Sequence, residues 1–150
     1  MSSEAVPREV VRYKYVMRIL GGLYVIGAVS FFAVPWLIFD IMNLLPRLLR
    51  VVDPIPASSE WFWLVLATSM MVMLSIIAFA SAASPQNRVL AYVHLASKLC
   101  SSVLYLNLFF FSNYYFAYLA GFITDFPIFL LVLWTAFAAF RALKRAGAPA

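Results

Sequence analysis

Four runs of apolar residues, each long enough to cross a lipid bilayer, constrain this chain more than anything else in it. They occupy residues 15–39, 60–83, 85–111 and 114–143 of a 150-residue sequence. A helix needs about 20 mostly apolar residues to cross the hydrocarbon layer. A soluble core is the alternative, and composition argues against it. Hydrophobic residues make up 65% of the chain and charged residues 11%, against roughly 45–50% and about 25% in soluble domains. A body this small has too much outer surface to hide that much apolar matter. In lipid, each backbone polar group must be satisfied within the protein, which makes helices the spanning form for such runs. The predicted fold class is therefore all-α: one polytopic membrane domain, a bundle of four transmembrane helices.

The first connection carries a further element. Ile41, Leu44, Leu45, Leu48, Leu49 and Val52 recur at helical spacing, with Asn43, Arg47 and Arg50 between them. The pattern is amphipathic. At about twelve residues it is too short to span, so residues 41–52 are predicted to lie flat at the interface, with Arg47 and Arg50 on lipid phosphate. Pro35 is expected to kink the first span near its end. Pro54 and Pro56 impose an extended segment. Ser58 or Ser59 is expected to cap the second span, with Glu60 in its first turn. Ser84 and Pro85 are expected to open the third. Ser112 and Asn113 make the tightest connection. Residues 8–18 are expected to begin the first helix on the water side. The first run is too long for a secretory signal and lacks its cleavage pattern, so it is read as a retained span.

The formal charge is +5. In a soluble protein that would suggest nucleic acid, but no motif for it is present. The basic residues flank the spans instead. Arg8, Arg12, Lys14 and Arg18 precede or open the first, Arg88 stands between the second and third, and Arg141, Lys144 and Arg145 close the fourth. With four spans these groups share one side, which the positive-inside rule makes cytoplasmic. The expectation is an inner-membrane protein with both termini in the cytoplasm. Cys100 is the sole cysteine and has no intrachain partner, which excludes paired-cysteine redox chemistry. One histidine cannot supply two haem ligands, and metal-ligating residues are few and scattered. No cofactor and no metal are predicted. Nucleophilic hydrolase, phosphate-loop and dinucleotide motifs are absent. So is the acid in the first span that small four-helix multidrug exporters require.

Two charges stand deep inside the last two spans: Lys98 in the third and Asp125 in the fourth. In a helical hairpin, Lys98 lies roughly 21 Å from the turn and Asp125 roughly 18 Å, so they can meet. His94, Lys98, Ser101, Ser102 and Tyr105 follow steps of three and four along one helix face. Tyr114, Tyr118, Gly121, Thr124 and Asp125 do so along the other. A charge facing mid-membrane lipid is expensive, so both stripes should turn inward. Two readings stand. The pair locks the hairpin, with Ser101, Thr124 and Tyr105 completing its hydrogen bonds. Alternatively, His94, Lys98, Tyr105 and Asp125 line a polar pocket that binds a ligand or moves a proton. Pro127 follows Asp125 closely and frees a carbonyl near residue 123, which favours a bend beside the charge.

The run Arg18-Ile19-Leu20-Gly21-Gly22-Leu23-Tyr24, with Gly27, Phe32 and Pro35, resembles the first span of DoxX-like small four-helix membrane proteins. Ser97-Lys98, Ser101-Ser102, Tyr118-Leu119 and Asp125 resemble uncharacterised bacterial membrane proteins of that size. The resemblance covers about half of the chain. It implies a four-helix bundle, sometimes attached to quinone-linked or redox systems, and supplies no catalytic residues. Taken together, the residues predict a non-catalytic accessory, assembly or partner-binding subunit, in contact with membrane lipids and with other membrane subunits or further copies of itself. The alternative is a lipid-, quinone- or other small-molecule-binding membrane protein, redox-linked or proton-coupled, that uses the Lys98–Asp125 pocket.

Overall fold

A computed structural model describes residues 6–50, 52–56, 61–112 and 114–147. Ser58, Ser59 and Glu60, expected to open the second span, lie outside these residues. So do Asn113 of the last turn and residues 148–150 of the tail.

Among the described residues five helices follow one another: α1 (Arg8–Ala33), α2 (Pro35–Leu49), α3 (Phe62–Ala83), α4 (Arg88–Phe111) and α5 (Phe116–Arg145). Four of them, α1, α3, α4 and α5, are long and apolar enough to cross a membrane. The protein is an all-α integral membrane bundle of four spans, as its apolar runs predict. α1 packs most extensively on α3, and α4 on α5. α1 and α5 join the two pairs, while α3 and α4 meet over a smaller surface.

Small residues at the seams let the helices approach. Ala28, Ala78, Ala82, Ala91, Ala136 and Ala139 are all buried. Gly21 sits under Phe79, whose ring would stand 3.0 Å from any β-carbon placed there. One turn of the neighbouring helix away, the Ser75 hydroxyl donates to the Gly21 carbonyl at 3.1 Å. The larger buried side chains, Tyr13, Met17 and Val132 among them, gather toward the end where α1 begins and α5 finishes. There Tyr13 meets Phe140 at 6.1 Å between ring centres. Arg88 lies 5.5 Å over the Phe140 ring, and Arg12 lies 5.2 Å over Trp134. The basic starts of α1 and α4 and the basic end of α5 thus share one end of the bundle. Outward-facing positions are largely apolar, Ile26, Val65, Ile76, Val103 and Trp134 among them, as a lipid surround requires.

Pro35 does more than kink the first span. α1 stops at Ala33, Val34 turns to φ −138°, and Pro35 becomes the first residue of α2. The clash that proline imposes on the residue before it ends the first helix. Its own fixed φ suits the first position of the next. Residues 35–39, read as the end of the first span, therefore belong to the short helix. That helix starts six residues earlier than predicted and ends at Leu49, where Arg50 adopts a left-handed cap at φ 53°. Its amphipathic pattern is turned outward. Asn43 and Pro46 are buried, while Ile41, Leu44, Leu45, Leu48 and Leu49 are exposed.

The segment after α2 is a strap pinned at two points. The Asn43 amide donates to the Ile55 carbonyl at 2.9 Å and accepts the Ile55 N–H at 2.8 Å. Asp53 then forms a parallel bridge with Tyr115. Its N–H donates to the Tyr114 carbonyl at 3.1 Å, and its carbonyl accepts from Phe116 N–H at 3.3 Å. The strap therefore joins the first connection to the turn between α4 and α5.

The start of α4 also differs from expectation. Pro85 stays in the turn, and Asn87 caps the helix by accepting the Val89 N–H at 3.1 Å. An asparagine oxygen at this position satisfies an amide the helix leaves unpaired. α5 runs unbroken through Pro127.

Candidate functional site

The site is built on the inner faces of α4 and α5. Steps of three and four on α4 place His94, Lys98, Ser101, Ser102 and Tyr105 along one side, with His94, Lys98 and Ser102 buried. The Lys98 side chain is 4% exposed and that of Asp125 14%. Lys98 Nζ donates to Asp125 Oδ1 at 2.7 Å. The Ser101 hydroxyl reaches the other carboxylate oxygen at 2.5 Å, with the Lys98 carbonyl 3.1 Å away. Ser102 donates to that same carbonyl at 2.6 Å. Hydroxyls bonded back to their own helix satisfy themselves in an apolar setting. The sequence pairing of Lys98 with Asp125 is what the structure shows.

α1 contributes a residue that the sequence reading did not include. The Tyr24 ring lies under the Lys98 ammonium, 5.0 Å from Nζ to the ring centre, a cation–π geometry. Its hydroxyl is 3.1 Å from His94 Nε2. Tyr24 thereby links histidine and lysine, one helical turn apart on α4. His94 is wholly buried, and its Nδ1 has no hydrogen-bond partner among the described residues. Whichever ring nitrogen carries the proton, one buried polar atom is left unsatisfied. The signal for Tyr24 lay in the spacing of Val10, Tyr13, Met17, Leu20, Gly21, Tyr24 and Ala28, one buried stripe of α1 in which two tyrosines carry hydroxyls.

Other predicted members separate from this core. Thr124 is exposed and donates to the Ala120 carbonyl of its own helix at 2.7 Å. Tyr118 lies toward the strap and lines a different cavity. Arg47 stands on α2 and Arg50 caps it, far along the chain from the pair; Arg47 is 3.4 Å from Asp40, and the Arg47 and Asp40 side chains are each more than 60% exposed. Such an exposed pair contributes little stability.

Two cavities flank Tyr105. The inner, about 220 Å³, has Ser97, Lys98, Ser101 and Asp125 in its wall, together with Leu66 and Met70 of α3, which are exposed. The outer, about 410 Å³, is lined by Phe39, Met42, Tyr118 and Gly121, with Ile55 and Pro56 of the strap. Phe31, Trp63, Ala67 and Tyr105 belong to both walls. Trp63 meets Phe31 and Phe39 edge to face, at 6.3 and 5.0 Å.

Chemically the pair is neutral as a whole but unequal in hydrogen bonding. Both carboxylate oxygens have a donor. The ammonium has three N–H groups and, among the described residues, one acceptor. The Tyr24 ring takes up a further part of the ammonium, and Lys98 stands in the wall of the inner cavity with donor capacity beyond its bond to Asp125. Among the described residues no three of His, Cys, Asp and Glu come together, so the cluster presents hydrogen bonds and paired charge, not a ligand shell. Compared with family models, curated proteins and solved structures, the chain matches none.

Proposed function

We propose that this integral membrane protein binds a small amphiphilic molecule in the crevice between α3 and α4. One observation carries the reading: the Lys98–Asp125 pair shares a cavity wall with Leu66 and Met70 of α3, which are exposed on the outside of the bundle. A pair serving only as a lock has no need of a cavity beside it. Apolar pockets with a few convergent polar groups are the usual form of small-molecule sites, and intramembrane ionisable residues are functional candidates by default. The accessory-subunit reading has no comparable feature in its support, because exposed apolar side chains are what lipid contact demands in any case. The basic end of the bundle supports placing both termini in the cytoplasm of a cell with the protein in its inner membrane.

The test is lipid-extract mass spectrometry on protein purified in mild detergent. A small amphiphile should co-purify above its share in the bulk membrane, and should be lost from a folded Lys98→Met, Asp125→Leu double variant. An extract matching bulk lipid, or retention of the amphiphile by the double variant, would sink the proposal.

A further inference from the structure

We infer that the two cavities are one site, kept continuous by Gly121, and that it takes an elongated neutral amphiphile whose hydrogen-bond-accepting head meets Lys98 while its apolar body lies under the strap. This rests on the ligand-binding reading above.

A β-carbon at position 121 would stand 2.7 Å from two ring carbons of Tyr105 and 2.9 Å from a third. Real side chains do not approach that closely. The Tyr105 ring is therefore stowed against bare backbone of α5. Tyr105 also stands in the wall of both cavities. With any larger residue at 121, the ring must leave its place against α5 and shift within the walls that the two cavities share. Gly121 determines how far a ligand can reach from the inner cavity to the outer.

The ion pair carries no net charge, so an added carboxylate or ammonium would be an uncompensated charge in a medium of low dielectric constant. An anion would also face Asp125, and a cation would compete with Lys98 for it. The Lys98 ammonium has one hydrogen-bond acceptor among the described residues and stands over the Tyr24 ring; an N–H beyond these calls for a neutral acceptor such as an amide, ester or ketone oxygen. Depth excludes ordinary phospholipid. Lys98 is near the middle of α4, roughly 15 Å along it, whereas phospholipid headgroups stay at the interface. The body of the ligand faces Phe39, Met42 and Ile55, which are apolar throughout.

Trp63 lines both cavities and reports on them. Trp36, Trp61 and Trp134 are exposed, so each is replaced by phenylalanine, leaving Trp63 as the fluorophore in nanodiscs. The probe is N-methyl-12-bromododecanamide, whose bromine quenches indole. Quenching should saturate with the amide, and the matching bromododecanoate and bromododecylammonium should bind at least tenfold more weakly. Gly121→Ala should weaken the amide at least tenfold, and Gly121→Ala with Tyr105→Leu should restore it by removing the displaced ring. Non-saturating quenching in the parent protein would overturn both this inference and the ligand-binding reading. Saturation that Gly121→Ala leaves unchanged would overturn the joined site alone. If Gly121→Ala lowers Tm and binding together and the Tyr105→Leu partner restores only Tm, glycine serves helix packing and the inference fails. Equal affinity for the charged probes would overturn the neutral head.

Discussion

At the scale of single residues, the Lys98–Asp125 pair is where structure and function compete for the same atoms. Breaking a buried pair by removing one partner strands a charge, while removing both can be nearly harmless. Lys98→Met alone is expected to destabilise the bundle by roughly 3–5 kcal/mol. Lys98→Met with Asp125→Leu should recover most of that, as read from thermal unfolding in detergent. A double variant as unstable as the single would show that the pair itself is not the source. The pairing was legible because two lone charges fell at matched depth on a hairpin. Tyr24 was not, because the hairpin argument reaches only α4 and α5, and the partner of His94 arrives from α1. Helix spacing states which residues share a face. It does not state which third helix covers that face, and Thr124 shows the converse error: correct spacing, but a side chain turned outward.

At the scale of elements, the four spans were readable from apolar length alone, and their ends were not. Each misplaced boundary turns on one local group. Pro35 ends α1 and starts α2. Asn87, not Ser84, caps α4. The short helix was legible as amphipathic, yet the sequence did not reveal that its apolar side faces away from the protein while a polar residue, Asn43, is buried. Asn43 is buried because it holds the strap, a role no periodicity encodes. Asn43→Ala removes both hydrogen bonds to Ile55, at a net cost of about 1 kcal/mol each. Hydrogen exchange at the Ile55 amide should then speed up by about tenfold or more. An unchanged exchange rate would mean that the bridge at Asp53 holds the strap unaided.

At the scale of the whole molecule, the bundle is unlike at its two ends. One end carries Arg12, Arg88 and Arg141 stacked on aromatic rings; the other carries α2 and the strap. Orientation follows if the basic end is cytoplasmic. In a Cys100→Ala background, Arg50→Cys should react with a membrane-impermeant maleimide on intact cells, and Arg145→Cys only after permeabilisation. The reverse pattern would invert the topology. The strap adds a consequence for the order of biosynthesis. Its residues leave the ribosome with the first half of the chain, and Asn43 grips Ile55 from the same side of the sequence. The second fastening is to Tyr114 and Phe116, which emerge only after two further spans have been made. During synthesis the strap is therefore held at one end until the last hairpin arrives, and the outer cavity acquires its finished roof among the final events of assembly.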